Sequence, residues 1–207
     1  MPLLEGDRLY NIVYLCRRDG TVEEQRKLHA TPSEESEWRM SGGDSLRVFE
    51  SDAGKVGIMG SSYGGYAALM GAVRRPDLYK AAISICGDSD LPELLANEKR
   101  GDNSPENIAY RFWSTRIGDP EEDAAALALA SPRRRASEIA CPVMLVHGVD
   151  DPVVPVFQSR RMKEALERAG KSVDYVEIRG AGHADWEDGV ELDLMTQYIE
   201  LFRRVFA

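Results

Sequence analysis

Residues 54–207 are predicted to form an α/β fold, a mostly parallel sheet with helices on both faces, preceded by a short β-hairpin. Two observations carry this. Strand-like apolar runs alternate with amphipathic helical stretches from Val56 to Phe206, the order that gives parallel strands joined by crossover helices. At one junction, Gly60-Ser61-Ser62-Tyr63-Gly64 sets a Gly-x-Ser-x-Gly turn directly between a strand and a helix. Sheets of this kind carry their chemistry at the carboxyl ends of the strands.

Each element has its own signal. Arg8–Leu15 and Thr21–Leu28 flank Arg17-Arg18-Asp19-Gly20, a hairpin with an Asp-Gly turn. Residues 29–52 are rich in Ser, Glu and Gly and offer no buried strand or clear amphipathic helix, so residues 1–53 are set apart from 54–207. Val56–Met59 reads as a strand. Tyr66, Leu69, Met70 and Val73 then fall at helical spacing, and the pattern stops at Arg75 before Pro76. Lys80–Cys86 reads as a buried strand, and Asp88–Ala140 as a helical insertion that caps the site.

Within that insertion, Glu121, Glu122 and Asp123 precede Ala124–Ala130, acids placed favourably for a helix dipole. Phe112 and Trp113 suit either core or an apolar wall for substrate. Arg133-Arg134-Arg135 reads as a solvated charge run or as a partner for a substrate carboxylate. The strand Pro142–Val146 follows, ended by His147, then a helix from Val156 to Ala169 stopping at Gly170 and a strand from Ser172 to Ile178. A closing helix from about Glu187 to Phe206 puts Leu192, Met195, Ile199 and Phe202 on one face.

A Gly-x-Ser-x-Gly match alone is expected by chance about 0.1 times in a chain of this composition. Its position between strand and helix is what marks Ser62 as the candidate nucleophile. A serine hydroxyl needs a histidine to take its proton and a carboxylate to hold that histidine in the right tautomer. Of three histidines, His29 lies in a polar stretch and His147 ends a strand, where a packed or backbone-bonded imidazole is expected. His183 remains, on the Gly180-Ala181-Gly182 loop after a strand. The acid is expected on the loop after His147-Gly148, where Asp150 and Asp151 compete. The order Ser62, Asp, His183 is the chain order of α/β-hydrolase triads.

Several motifs together resemble the prolyl oligopeptidase family of serine peptidases. They are Gly60-Ser61-Ser62-Tyr63-Gly64-Gly65-Tyr66, Ser131-Pro132, Cys141 to Gly148, Asp151-x-x-Val154-Pro155, Gln158-Ser159 and Gly182-His183. The resemblance covers about residues 54 to 205 and implies an α/β-hydrolase catalytic domain. It selects Asp151 over Asp150 as the acid, and it implies that Tyr63 and Val154 line the pocket for the side chain before the cut bond. The family draws one oxyanion donor from the amide after the serine, here Tyr63 N–H, and another from a tyrosine near an upstream His-Gly-Gly-Pro-like segment. No such segment occurs in this sequence, and losing one such donor typically lowers turnover by about 10² to 10³. The hairpin near Tyr10 and Tyr14 resembles a strand pair of the family's β-propeller, and the chain reads as a shortened relative.

The resemblance implies a serine-type peptidase acting on short peptides. A carboxylesterase acting on small acyl esters is the nearest alternative, and a catalytically silent fragment or interaction module a third. Composition narrows the rest. At 207 residues and 43% hydrophobic the chain suits one main domain, and its net charge of −9 argues against nucleic-acid or anionic-membrane binding. No apolar run approaches the roughly 20 residues that span a bilayer, and no basic-then-apolar leader is visible, so the expected location is cytoplasmic. Cys16, Cys86 and Cys141 lie singly, without pairing or metal spacing, and read as small buried residues. No phosphate loop, dinucleotide fingerprint or two-histidine metal motif occurs, so the expected chemistry needs neither cofactor nor metal.

Overall fold

The computed structural model describes residues 2–5, 8–16, 22–26, 56–101, 107–183 and 186–207. The chain divides into two compact units, Met1–Glu50 and Ser51–Ala207. In the first, β1 (Pro2–Glu5), β2 (Arg8–Cys16) and β3 (Val22–Arg26) form an antiparallel sheet in the order β1-β2-β3. The expected hairpin is the β2–β3 pair, with Cys16 opposite Val22 and Ile12 opposite Arg26. Its Asp-Gly turn and the irregular stretch 29–52 lie outside the described residues.

The second unit is a four-stranded parallel sheet in the order β4 (Val56–Ser61), β5 (Tyr79–Ile85), β6 (Val143–Gly148), β7 (Val173–Ile178). Strands that pair in sequence order need crossovers, and helices supply them. They are α1 (Tyr63–Arg74), the insertion helices α2 (Leu91–Gly101), α3 (Ile108–Ile117) and α4 (Ala124–Leu129), then α5 (Phe157–Arg168) and α6 (Asp188–Phe206). A 3-10 segment, Pro132–Glu138, leads from α4 towards β6.

Alternate residues of the central strands feed two cores, as the two-residue period of a strand requires. On one face Ala82, Val143 and Leu145 pack with Leu69 and Val73 of α1 and Met162 and Leu166 of α5. On the other, Ala81, Ile83, Met144 and Val146 pack with Leu194, Tyr198 and Leu201 of α6. A third cluster, Leu91, Leu94, Leu95 and Leu127, holds the insertion together.

Two expectations are corrected. In α6, Phe202 of the expected face packs against the core, but Leu192, Met195 and Ile199 are exposed, while Leu194, Tyr198 and Leu201 are buried. The helix carries two apolar stripes of equal period, and periodicity cannot say which one meets the sheet. The arginine run is also no solvated face. Arg133 and Arg134 both bridge to the fully buried Asp90, Arg133 also reaches Glu93 at 3.1 Å, and Arg135 pairs with Glu138 at 2.7 Å. These guanidinium groups offset the burial of Asp90, which would be costly unpaired. They are engaged by the protein's own carboxylates, not presented to a substrate.

Candidate active site

The turn between β4 and α1 is built by backbone, not by side chains. Ser62 has φ 57° and ψ −124°, a left-handed conformation that a non-glycine residue adopts only when its surroundings impose it. Its amide donates to Ile85 O at 2.8 Å, and its carbonyl accepts from the Gly65 and Tyr66 amides at 2.9 and 3.1 Å. A side chain on Gly60 would strike the Gly64 carbonyl, so the strand can pass this close to the helix only as glycine. Gly64 itself has open space around its own Cβ position. Its part is therefore to offer backbone to Gly60, and the two motif glycines are not equivalent. Tyr63 begins α1, so its N–H belongs to the helix's free first turn and lies next to Ser62 Oγ in the chain. Tyr63 as a whole is 70% exposed.

The histidine loop is held from both sides. Asp150 N–H donates to Ala181 O at 3.0 Å, and the Trp186 indole N–H donates to Gly182 O at 3.0 Å. Gly148, ending β6, lies so close to the Ala181 and Gly182 carbonyls that no Cβ would fit there. This seats His183 between the other two residues. Its Nε2 is 2.9 Å from Ser62 Oγ, and its Nδ1 is 2.7 Å from Asp151 Oδ2. Ser62, Asp151 and His183 are thus joined in one line of hydrogen bonds. Asp150 is exposed and takes no part in that line.

Asp151 is buried and well satisfied. Its Oδ1 accepts from the Val153 and Val154 amides at 2.8 and 2.9 Å. Burial alone would raise its carboxyl, but the hydrogen bonds from His183, Val154 and Val153 outweigh that and hold it below the usual carboxylate range. His147 stands behind it, fully buried, with Nδ1 2.7 Å from Ser159 Oγ and Nε2 2.8 Å from Val154 O. It is the packed, backbone-bonded imidazole expected. Burial lowers its basicity more than Val154 and Asp151 restore it, which keeps it neutral.

Cys86, His147 and Asp151 have ligand atoms within 4.8 Å of one another. The donor set does not fit a metal as it stands. Both His147 nitrogens are engaged, and burial pushes the Cys86 thiol up to about 12, far from the thiolate a metal would need.

Beside Ser62 opens a cavity of about 420 Å³. Tyr63 and Val154 line it, together with Tyr66, Leu91, Leu94, Trp113 and Ile117. Of the two aromatics left open by the sequence, Trp113 faces this space, while Phe112 is half-exposed under the Arg116 guanidinium. Two acids, Asp88 and Glu98, also line it. Sequence reasoning missed both, because neither belongs to a motif and only the fold brings the end of β5 and the far turn of α2 to one wall. Two further motif residues, Ser131 and Gln158, hold the structure together. Ser131 Oγ donates to Leu127 O and accepts from the Leu91 amide, and Gln158 Oε1 accepts from the Ser89 and Asp90 amides. These bonds fix the insertion to the sheet. Among the described residues no helix is long and apolar enough to cross a membrane.

The chain is similar to known peptidases and to an esterase. Dipeptidyl aminopeptidase BIII of Pseudoxanthomonas mexicana is 35% identical over 133 residues, which is 62% of this chain and 18% of that protein. Esterase LipC of Mycobacterium tuberculosis is 29% identical over 164 residues, 74% of this chain and 41% of the esterase. Among solved structures, a Mycobacterium tuberculosis puromycin-hydrolyzing peptidase superposes with a TM-score of 0.66 at 28% identity, covering 75% of this chain and 22% of that one. The matched part of this chain therefore spans less than half the length of each. Residues 49–207 match the prolyl oligopeptidase family, and with an α/β-hydrolase sheet over the same span the chain belongs to that family of hydrolases.

Proposed function

We propose that residues 54–207 act as a serine peptidase domain that cleaves short peptides through an acyl-enzyme. The observation that carries this reading is the unbroken hydrogen-bonded line from Ser62 Oγ through His183 to Asp151, with Ser62 on a strained turn at the mouth of a cavity. With Asp151 ionised, His183 keeps its proton on Nδ1, leaving Nε2 free to accept from Ser62. Ser62 Oγ attacks the substrate carbonyl as His183 takes its proton. The Tyr63 N–H, unspent in the helix's first turn, faces the developing oxyanion. His183 then protonates the leaving amine, and the C–N bond breaks. Water, deprotonated by His183, attacks the acyl-Ser62 ester and releases the acid. Asp151 holds the imidazolium throughout. No metal or cofactor enters these steps.

The first test is labelling by a fluorophosphonate probe, with the modified peptide identified by mass spectrometry. Labelling at Ser62 that vanishes in Ser62→Ala and falls strongly in His183→Ala supports the reading. Absence of labelling in well-folded protein overturns it in favour of a catalytically silent hydrolase fragment. A carboxylesterase is the second reading, favoured by the likeness to LipC across 74% of this chain. Turnover of acyl esters without turnover of short peptide amides would decide for it.

A further inference from the structure

The cavity beside Ser62 has walls of one kind and a lining acid pair of another. Leu91, Leu94, Trp113 and Ile117 are apolar, yet Asp88 and Glu98 open onto the same space. Asp88 follows the end of β5, and its Oδ1 is sealed from solvent with no hydrogen-bond partner among the described residues. Neither carboxylate belongs to an ion pair among the described residues, although the same region pairs Asp90 with Arg133 and Arg134, and Glu93 with Arg133 and Arg161. On the insertion helices Lys99 stands over the Tyr110 ring and Arg116 over Phe112, and the one group of opposite charge acting on Asp88, the His183 imidazole, is bonded to Asp151. A half-buried carboxylate whose sealed oxygen has no partner is costly, and beside Asp90 and Glu93, which the fold pairs with guanidinium groups, this one awaits a charge from outside.

We propose that this cavity selects substrates whose acyl side chain ends in a cation, with Asp88 as the charge partner at its wall and Glu98 reinforcing it. Lysine and arginine fit both features. Their methylene stems suit the Leu91, Leu94, Trp113 and Ile117 walls, and their heads carry the charge that Asp88 lacks. The inference rests on the peptidase reading of Ser62, since the cavity begins at that residue. The physical support extends to the field inside the cavity. Burial, with a further contribution from the Glu98 charge, raises the Asp88 carboxyl to about 6, so at neutral pH it is ionised yet poorly solvated. A bound ammonium or guanidinium relieves both.

The test compares kcat/KM of the full chain for the methylumbelliferyl esters of Nα-acetyl-lysine and Nα-acetyl-norleucine, which differ by the terminal ammonium. An ester serves either a peptidase or an esterase. A free-amine norleucine ester tests whether an α-ammonium is the cation instead. The expected result is a preference for acetyl-lysine of at least about tenfold, collapsing towards one in Asp88→Asn and partly in Glu98→Gln. Equal rates for the two acetylated esters, or a gain confined to the free-amine ester, overturn the proposal. Binding of n-pentylammonium against n-pentanol, followed by NMR shifts of the Trp113 indole, reads the cation site without turnover. A chain that turns over nothing but binds pentylammonium selectively, and loses that selectivity in Asp88→Asn, overturns the hydrolase reading and keeps this one. If Asp88→Asn does not fold by circular dichroism, Glu98→Gln and the wild-type ratio decide alone.

Discussion

His147 and His183 share one carboxylate oxygen: Asp151 Oδ2 is 2.7 Å from His183 Nδ1 and 3.3 Å from His147 Nε2. The two imidazoles differ in setting, one fully buried and the other half-buried. His147 is a positioning residue, since it touches Asp151 and the Val154 carbonyl and not the nucleophile. Its replacement by leucine leaves the Ser159 hydroxyl and the Val154 carbonyl without their partner, a loss of about 1–3 kcal/mol in urea unfolding. The same variant is expected to lower kcat about tenfold with little change in KM. A fall confined to stability would show that His147 only fills space.

Asp151→Asn keeps the size of the side chain but removes the charge that fixes the His183 tautomer. The expected loss in kcat is about 10⁴-fold, measured on an activated ester with folding checked by circular dichroism. Asp150→Asn, one residue away on an exposed side chain, is expected to lie within about twofold of wild type. Equal losses would place the acid elsewhere.

Gly148→Ala tests the close approach that seats the histidine loop. A methyl there collides with the Ala181 and Gly182 carbonyls, both backbone atoms that cannot swing aside like a side chain. The loop must shift, and a shift of about 1 Å at His183 suffices to lower turnover about 10²-fold. Far-UV circular dichroism should change little, while fluorophosphonate labelling slows in step with turnover.

Much of this arrangement was legible because short sequence distances carried it. Ser62 is reached from β4 in one step, and His183 from β7 through a glycine loop, so a motif predicts each position without knowledge of the whole. The α6 packing face was not legible, because Leu192, Met195 and Ile199 have the same spacing as Leu194, Tyr198 and Leu201, and only the sheet chooses between them. The Arg133–Arg135 run misled for a related reason. Its partner Asp90 lies 43 or more residues earlier, and nothing local signals that a buried acid will need two guanidinium groups. Asp88 and Glu98 were hidden in the same way. A cavity wall is a property of the folded chain, and these two acids share no motif.

The two perturbed acids carry opposite pH signatures. Asp151 is held below its ordinary 3.8, so its contribution is present above that value and is lost only as pH falls through the lower folded value. Asp88 is raised from 3.8 to about 6. The folded state then binds the proton more tightly than the unfolded chain, and stability declines as pH rises from about 4 to about 6, then levels off. Denaturant unfolding between pH 4.5 and 8 should show this decline in wild type and a flatter profile in Asp88→Asn, which gains on the order of 3 kcal/mol at pH 7.

The same ionisation governs the cation preference. The groups facing Asp88 are Glu98, His183 and Asp151. A ratio of lysine to norleucine ester turnover cancels every effect of pH on the bond-breaking steps common to both substrates. That ratio is expected to stay level above about pH 7 and to fall as pH drops through about 6. A ratio independent of pH would separate the preference from Asp88.

One turn of α5 joins chemistry to selectivity. Ser159 steadies His147 and through it the acid behind the nucleophile, while its neighbour Gln158 grips the Ser89 and Asp90 amides that follow Asp88. Two consecutive side chains therefore tie the reacting centre and the charged cavity wall to a single piece of scaffold. A lineage or an engineer that alters this turn cannot retune one trait while sparing the other. The freedom to change substrate range lies instead in Trp113 and Ile117, which line the cavity and make no hydrogen bond to Ser62, His183 or Asp151 among the described residues.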